Sequence, residues 1–226
     1  MLTKNVSAAK GTYSRTLLAV CAMSLCGAQP ILADATHILA QPAEMIETAE
    51  RIDFVGQNSF AKEPSEFGPV LRSTPHRSAS GLYLHVHVAP DLLRPVTWCW
   101  RVDRLQPSAD IRNLRTEDFG ATIFFIFGEP SFFNKDVPTL AYTWTSTPIA
   151  NGTLLPSLRY QSLRFIQLHG RADVGVWQRE RRDLAADYRM IFGHEPPTLQ
   201  YVAVFNDNDQ TSEPASALFG PIEWVH

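Results

Sequence analysis

A pair of histidines two residues apart is the first feature of this sequence that could do chemistry. His85 and His87 alternate with apolar residues, so on a β-strand both rings would project from the face that also carries Tyr83. Two imidazoles in this arrangement could bind a transition metal, with His76 or His169 as the third ligand. The sequence favours the alternative, a solvated strand face without a metal, because it contains no dense ligand motif such as H-E-x-x-H or C-x-x-C.

A second candidate metal site lies in an acidic turn late in the chain. Asp207 and Asp209 follow an apolar segment, and Glu213 or Glu223 could add a further carboxylate. Clustered carboxylates and carbonyls suit Ca²⁺, which takes about six to eight oxygen ligands. The predicted calcium ligands are Asp207, Asp209 and Glu223. The alternative is an Asx-rich turn whose side chains cap their own backbone, and this reading is favoured because the spacing is not that of an EF-hand loop.

Aromatic residues form a third set, whose flat rings could stack on sugar rings. The set comprises Tyr83, Trp98, Trp100, Tyr142, Trp144, Trp177 and Trp224. Trp98 and Trp100 share a strand face with Val96 and Val102, which predicts that both indoles belong to the hydrophobic core. Tyr142 and Trp144 lie opposite threonines and are predicted to point inward as well. The predicted ligand-binding residues are Tyr83, His85, His87 and Arg101.

No catalytic residue can be assigned from the sequence. The chain lacks a G-x-S-x-G nucleophile elbow and a phosphate-binding glycine loop. A glycosidase needs two carboxylates held across a cleft, and sequence does not show that separation for Glu117 and Asp118. Glu180 lies among three arginines at 179–182, a pattern that predicts a surface ion-pair network. The sequence therefore favours a protein that is not an enzyme.

The elements that must position these residues are mostly strands. From residue 52 the chain consists of short apolar runs separated by Pro, Gly, Asn and Asp, which is typical of a β-sandwich or barrel. The run at 121–127 is apolar on both faces, so it should be a central strand. Strands are predicted at 81–89, 96–103, 121–127, 140–145, 163–169, 199–205 and 218–225.

One segment has helical periodicity. Leu184, Tyr188 and Ile191 share a helix face, Asp183 precedes the first turn, and Gly193 can end the helix in a left-handed conformation. We therefore predict a mainly β fold, an antiparallel β-sandwich of the jelly-roll type, with one helix around 182–192.

The N-terminus has the three parts of a secretory signal peptide. A basic leader precedes an apolar run at 16–26, and Ala33-Asp-Ala35 offers a cleavage site. The predicted organisation is a signal peptide over 1–35, a lead-in over 36–51 that is polar or forms a short helix around 43–50, and a single domain over 52–226. The protein is predicted to be periplasmic or secreted, without a membrane span after cleavage.

Cleavage would change both the charge and the cysteine content. It removes three basic residues and one acidic residue, so the formal charge moves from −3 to −5. This excess of acidic residues argues against a nucleic-acid partner. Only Cys99 remains, between two tryptophans, and we expect a buried thiol that forms no disulfide within the chain.

An ordered set of short motifs resembles a known family. The motifs are Ser78-Ala-Ser80, Trp98-Cys-Trp-Arg-Val102, Glu117-Asp-Phe119, Tyr142-Thr-Trp144, Arg181–Tyr188, Phe192-Gly193 and Asp207–Thr211. Together, over 52–225, they resemble the bacterial secreted proteins grouped as domain of unknown function 3047. The family implies no activity and no catalytic residues. Gly120 and Thr122 depart from its pattern, which is expected to have Pro and a basic residue there.

These observations predict a binding or structural module for a saccharide or another component of the cell envelope. The alternatives that the sequence leaves open are a hydrolase or lyase acting on polysaccharide, and a metal-dependent module built on His85 and His87. No cofactor is certain, and Ca²⁺ is the one that the acidic turn suggests.

Overall fold

The chain folds as two β-sheets packed face to face, with two helices. The computed structural model describes residues 38–129 and 136–225. The signal-peptide prediction lies outside these residues. The six-stranded sheet contains β1 (Ile38–Ala40), β3 (Ser59–Ser65), β4 (Gly68–Thr74), β6 (Val96–Arg104), β11 (Gln178–Arg182) and β13 (Ser216–Trp224). The seven-stranded sheet contains β2 (Glu50–Val55), β5 (Ala79–Val88), β7 (Ala121–Phe127), β8 (Thr139–Trp144), β9 (Leu154–Pro156), β10 (Leu163–His169) and β12 (Leu199–Asp207).

Strand order confirms the predicted sandwich of the jelly-roll type. The order is β11-β6-β13-β4-β3 in the six-stranded sheet, with β1 paired to β13, and β2-β5-β12-β7-β8-β10-β9 in the other. From β4 to β7 and again from β10 to β13, successive strands alternate between the sheets. Every described pairing is antiparallel except that of β8 with β10. As predicted, β7 is a central strand.

The core between the sheets confirms the inward-facing aromatics. Trp98, Trp100, Tyr142 and Trp144 are all buried. Rings from the two sheets meet there, with 5.2 Å between the centroids of Trp98 and Tyr142 and 5.9 Å between those of Trp100 and Trp144. Cys99 is buried and free, as expected, and burial raises the pKa of its thiol to about 11.

The predicted helix is α2 (Leu184–Phe192). Asp183 caps it by accepting a hydrogen bond from the backbone N–H of Ala186, and Gly193 ends it at a φ of 78°. Leu184 and Tyr188 lie in the hydrophobic core. None of the helices described is long and apolar enough to cross a bilayer.

The lead-in segment is built into the same core. It contains β1 and a second helix, α1 (Pro42–Thr48), which the prediction of a short helix around 43–50 anticipated. Met45 is buried in the hydrophobic core, and β1 pairs with β13. The fold therefore uses residues that the sequence placed ahead of the domain.

The basic segment before α2 is a strand and not a surface ion-pair network, which corrects that prediction. It forms β11, where alternate side chains point between the sheets. Glu180 accepts a hydrogen bond from Trp100 Nε1 and forms an ion pair with His169. Arg182 forms a bidentate ion pair with Asp187. The pattern was misread because charged side chains are rarely placed inward unless each finds a partner, and here each does.

Candidate functional site

The outer face of the seven-stranded sheet carries an unusual number of aromatic rings. Strand alternation places Leu82, Ile123, Phe125, Val202 and Val204 in the core, and their neighbours on the opposite face. We call this outward set the aromatic platform. It consists of Phe54, Tyr83, Phe124, Tyr201 and Phe205. The solvated face of an antiparallel sheet is ordinarily polar, so this composition needs an explanation.

The rings of the platform lie in contact with one another. The centroids of Tyr83 and Tyr201 are 5.8 Å apart, and those of Phe124 and Phe205 are 5.9 Å apart. Phe54 packs edge-on against Phe205 at 6.0 Å and is 57% exposed. The rings are therefore held in place by their neighbours. Phe205 itself is buried, whereas the other four rings keep part of their surface open to solvent.

Two glutamates hold the tyrosine hydroxyls. Tyr83 donates a hydrogen bond of 2.6 Å to Glu50, and Tyr201 donates one of 2.9 Å to Glu129. The bond to Glu50 raises the pKa of Tyr83 to about 12, and the bond to Glu129 raises the pKa of Tyr201. Both phenols are thus neutral donors at physiological pH, with a carboxylate beside each.

The two predicted histidines border the platform. His85 and His87 each donate a ring N–H to Oε1 of Gln200, at 3.1 and 3.0 Å, because an amide oxygen can only accept. His87 has a φ of 49°, which lies in the left-handed region, at an irregularity in the pairing of β5 with β12. This bulge turns both rings towards one glutamine, and His85 also packs on Tyr201 at 4.9 Å.

Neither proposed third ligand joins these histidines. His76 is bonded to Ser59, and His169 lies between Asp173 and Glu180. Among residues 38–129 and 136–225, no group of three potential ligands includes His85 or His87.

Arg101 lies elsewhere, although the sequence grouped it with Tyr83, His85 and His87. It is on β6 in the other sheet, where it forms an ion pair with Asp103 and covers the ring of Trp177 at 5.1 Å. The structure therefore unites three of the four predicted ligand-binding residues and separates the fourth. A groove of about 330 Å³ on that face is lined by Glu66, Phe67, Thr97, Trp98, Cys99, Arg179, Pro221 and Glu223.

The predicted calcium ligands are also divided. Asp207 and Asp209 lie together at the end of β12, and Asp118 joins them from the residues before β7. Glu223 is on β13, opposite Thr97, and belongs to the groove of the six-stranded sheet. We call Asp118, Asp207 and Asp209 the acidic cluster. Their carboxylate oxygens lie within 4.8 Å of one another.

Burial shapes the electrostatics of the acidic cluster. It raises the pKa of Asp207 well above its ordinary value, and the charge of Asp118 raises it further. Burial also raises the pKa of Asp209 and of the adjacent Glu117, which is paired with Arg159.

Several residues of these sites escaped the sequence analysis. Tyr201 alternates with buried Val202, so strand periodicity could have placed it beside Tyr83. Glu50 and Glu129 had no such signal, because each reaches the platform from outside the predicted strands. Asp118 was considered only as a carboxylate paired with Glu117, because 89 positions separate it from Asp207 in the sequence.

Comparisons with solved structures find β-sandwich proteins. The family 11 carbohydrate-binding module of Lic26A-Cel5E from Clostridium thermocellum is 9% identical, with a TM-score of 0.44, over 84% of this chain and 94% of that one. The same module in complex with a β-1,3-1,4-mixed-linked tetrasaccharide is 8% identical, with a TM-score of 0.41, over 84% and 95%. The catalytic domain of Humicola grisea Cel12A is 9% identical, with a TM-score of 0.40, over 84% and 90%.

A comparison with curated proteins finds no match. The model of a family described as "Protein of unknown function (DUF3047)" matches residues 50–223, the stretch that carries the ordered motifs. The chain belongs to the DUF3047 family.

Proposed function

We propose that this chain is an exported module that binds a saccharide on the aromatic platform. The observation that carries the proposal is the pair of neighbouring tyrosines, Tyr83 and Tyr201, on the outward face of the sheet, each with its hydroxyl held by a glutamate. The apolar C–H faces of a sugar ring pack against such flat rings, while its hydroxyls need donors and acceptors around them.

The border of the platform supplies those polar groups. Glu50 and Glu129 provide carboxylate acceptors, and Gln200 provides an amide. His85 and His87 are exposed and lie at the same edge. Because the rings and the glutamine are already fixed by contacts within the protein, little side-chain entropy is lost when a ligand binds.

The test is a glycan array probed with the full chain, followed by titration of the best ligand. Replacing Tyr201 by alanine removes one ring of the pair, and we expect the affinity to fall about tenfold or more, which corresponds to ~1.4 kcal/mol. Tyr160→Ala is the matched control, since Tyr160 is 40% exposed and lies in the loop between β9 and β10. Equal affinities of the two variants, or the absence of any bound glycan, would refute the proposal.

Export is the second part of the proposal and rests on the N-terminal sequence. Expressed in a bacterial host, the chain should appear in the periplasm or medium and begin at Thr36. Intact-mass measurement of the recovered protein decides this, and recovery of the uncleaved chain from the cytoplasm would contradict it.

A polysaccharide hydrolase is the second candidate, and the flanking glutamates favour it. Glu50 and Glu129 each bind the hydroxyl of one member of the tyrosine pair, so two carboxylates border the same patch, and a glycosidase uses two carboxylates. Release of reducing ends from the bound glycan would support this function if Glu50→Gln and Glu129→Gln each abolished it. Binding without turnover would exclude it.

A further inference from the structure

The acidic cluster has too many oxygen acceptors for the hydrogen-bond donors around it. Asp118 accepts backbone N–H bonds from Gln210 and Thr211, at 3.1 and 2.7 Å, and Asp207 accepts one from Phe119 at 2.6 Å. No ion pair to a lysine, arginine or histidine is formed by the three aspartates within the described part of the chain. Three carboxylates whose oxygens lie within 4.8 Å therefore have their charge offset by amide N–H groups and, at Asp209, by the charge of Arg159, which forms no ion pair with it.

Three buried side-chain oxygens without a hydrogen-bond donor belong to the acidic cluster or to residues that are hydrogen-bonded to it. Gln106 is fully buried, and its Nε2 donates to the backbone carbonyl of Asp207, so its amide abuts the acidic cluster. Its Oε1 has no partner. Oδ1 of Asp209 and Oε1 of Gln210 are also buried without a donor. A buried acceptor that is left unpaired costs about 1 to 3 kcal/mol, so a bound cation would satisfy acceptors that the protein itself leaves unpaired here.

We propose that the acidic cluster binds one Ca²⁺ through Asp118, Asp207, Asp209 and the side-chain oxygen of Gln106. Every available ligand is an oxygen, which matches the preference of a hard cation, whereas zinc and copper sites use nitrogen and sulfur. The carboxylates retain lone pairs beyond those used by the backbone N–H groups.

The cation would fasten a covering loop to the sheet. Residues 105–120 cross the outer face at the Phe205 end of the platform, where Ile111 and Phe119 pack with Phe165 and Phe205. Asp118 and Gln106 come from the two ends of this loop, while Asp207 ends β12. One ion bound by all three would hold both ends of the loop against the strand, independently of any saccharide.

The experiment uses the full chain, stripped with EDTA and titrated with CaCl₂ by calorimetry. We expect one Ca²⁺ per chain and a rise in Tm of about 5 to 10 °C when free Ca²⁺ is a hundredfold above its Kd. Asp209→Asn should weaken Ca²⁺ binding tenfold or more. Because Asp209 is only partly buried, this variant should fold without the ion, which circular dichroism can verify.

Glu223→Gln is the matched control, because Glu223 is a partly buried carboxylate on the other sheet. It should bind Ca²⁺ like the unmodified chain. Several results would overturn the proposal: no uptake of Ca²⁺, equal losses in both variants, or tighter binding of MgCl₂ or ZnCl₂ than of CaCl₂.

Discussion

Two buried tyrosines allow a direct test of the core described above. Tyr142 and Tyr188 are both fully buried, but their hydroxyls differ in one respect. The hydroxyl of Tyr142 donates to Asp187 at 2.5 Å, within the pair that Asp187 forms with Arg182. The hydroxyl of Tyr188 has no partner. The same substitution, tyrosine to phenylalanine, should therefore have opposite effects at the two positions.

The magnitudes follow from the partners. Tyr142→Phe removes a hydrogen bond to a charged group and should lower the free energy of unfolding by about 1.5 to 3 kcal/mol. Tyr188→Phe removes an unpaired buried hydroxyl, and we expect a gain of about 1 kcal/mol, which corresponds to a rise in Tm of about 2 to 4 °C. Urea denaturation with unchanged m-values measures both. A loss for Tyr188→Phe as large as that for Tyr142→Phe would show that its hydroxyl has a partner after all.

Three further predictions concern a histidine, a glycine and a cysteine. Burial by itself lowers the pKa of His169. The hydrogen bonds and charges of Glu180 and Asp173 outweigh burial, so the pKa is raised. The stabilisation is therefore complete below the unfolded value of 6.5 and is lost as the pH rises through the higher folded pKa. The urea concentration at the midpoint of unfolding should therefore fall as the pH rises through that range. A fall of the same size in His169→Gln would show that His169 is not the group responsible. A Cβ on Gly81 would lie 2.4 Å from a backbone oxygen of β12, so Gly81→Ala should cost about 1 to 3 kcal/mol in urea denaturation. Gly170→Ala, whose nearest neighbour would be 3.7 Å away, is the control, and equal losses would refute the steric argument. In a variant lacking the two N-terminal cysteines, Cys99 should react with Ellman's reagent at pH 8 only after unfolding, since burial raises its pKa to about 11. Rapid labelling of the folded protein would show that the thiol is accessible.

Periodicity was enough to find most of the strands and the main helix. The strands β7 and β10 match their predicted bounds, because apolar runs ended at clear turn residues. Helix α2 was found from its periodicity together with its caps. Strands β2 and β3 were missed, since their mostly exposed positions give little apolar alternation. Strand β4 was missed because its buried apolar residues, Val70 and Leu71, are adjacent and do not alternate. The parallel pairing of β10 with β8 depends on a crossover that no local pattern reveals.

Only some residues of the candidate sites could be predicted from the sequence. Tyr83 and His85 were predicted to share a face because both lie on one strand, where alternation decides direction. The partners Glu50 and Glu129 come from other parts of the chain, and sheet pairing alone brings them to the tyrosines. Arg101 lies on the other sheet from Tyr83, which could not be predicted because nothing in the local pattern tells which of two sheets a strand will join.

The acidic turn shows where the division between sequence and structure lies. The sequence by itself determined that Asp207 and Asp209 would sit together, because two residues separated by one position in a turn cannot lie far apart. It also determined the family and the sandwich, through the order of the motifs and the alternation of the strands. Only the tertiary structure decided that Asp118 completes the cluster, that Gln106 lies beside it, and that Glu223 does not belong to it. The physical reason is that strand pairing is non-local: β12 lies between β5 and β7, and this order places the residues before β7 beside the end of β12.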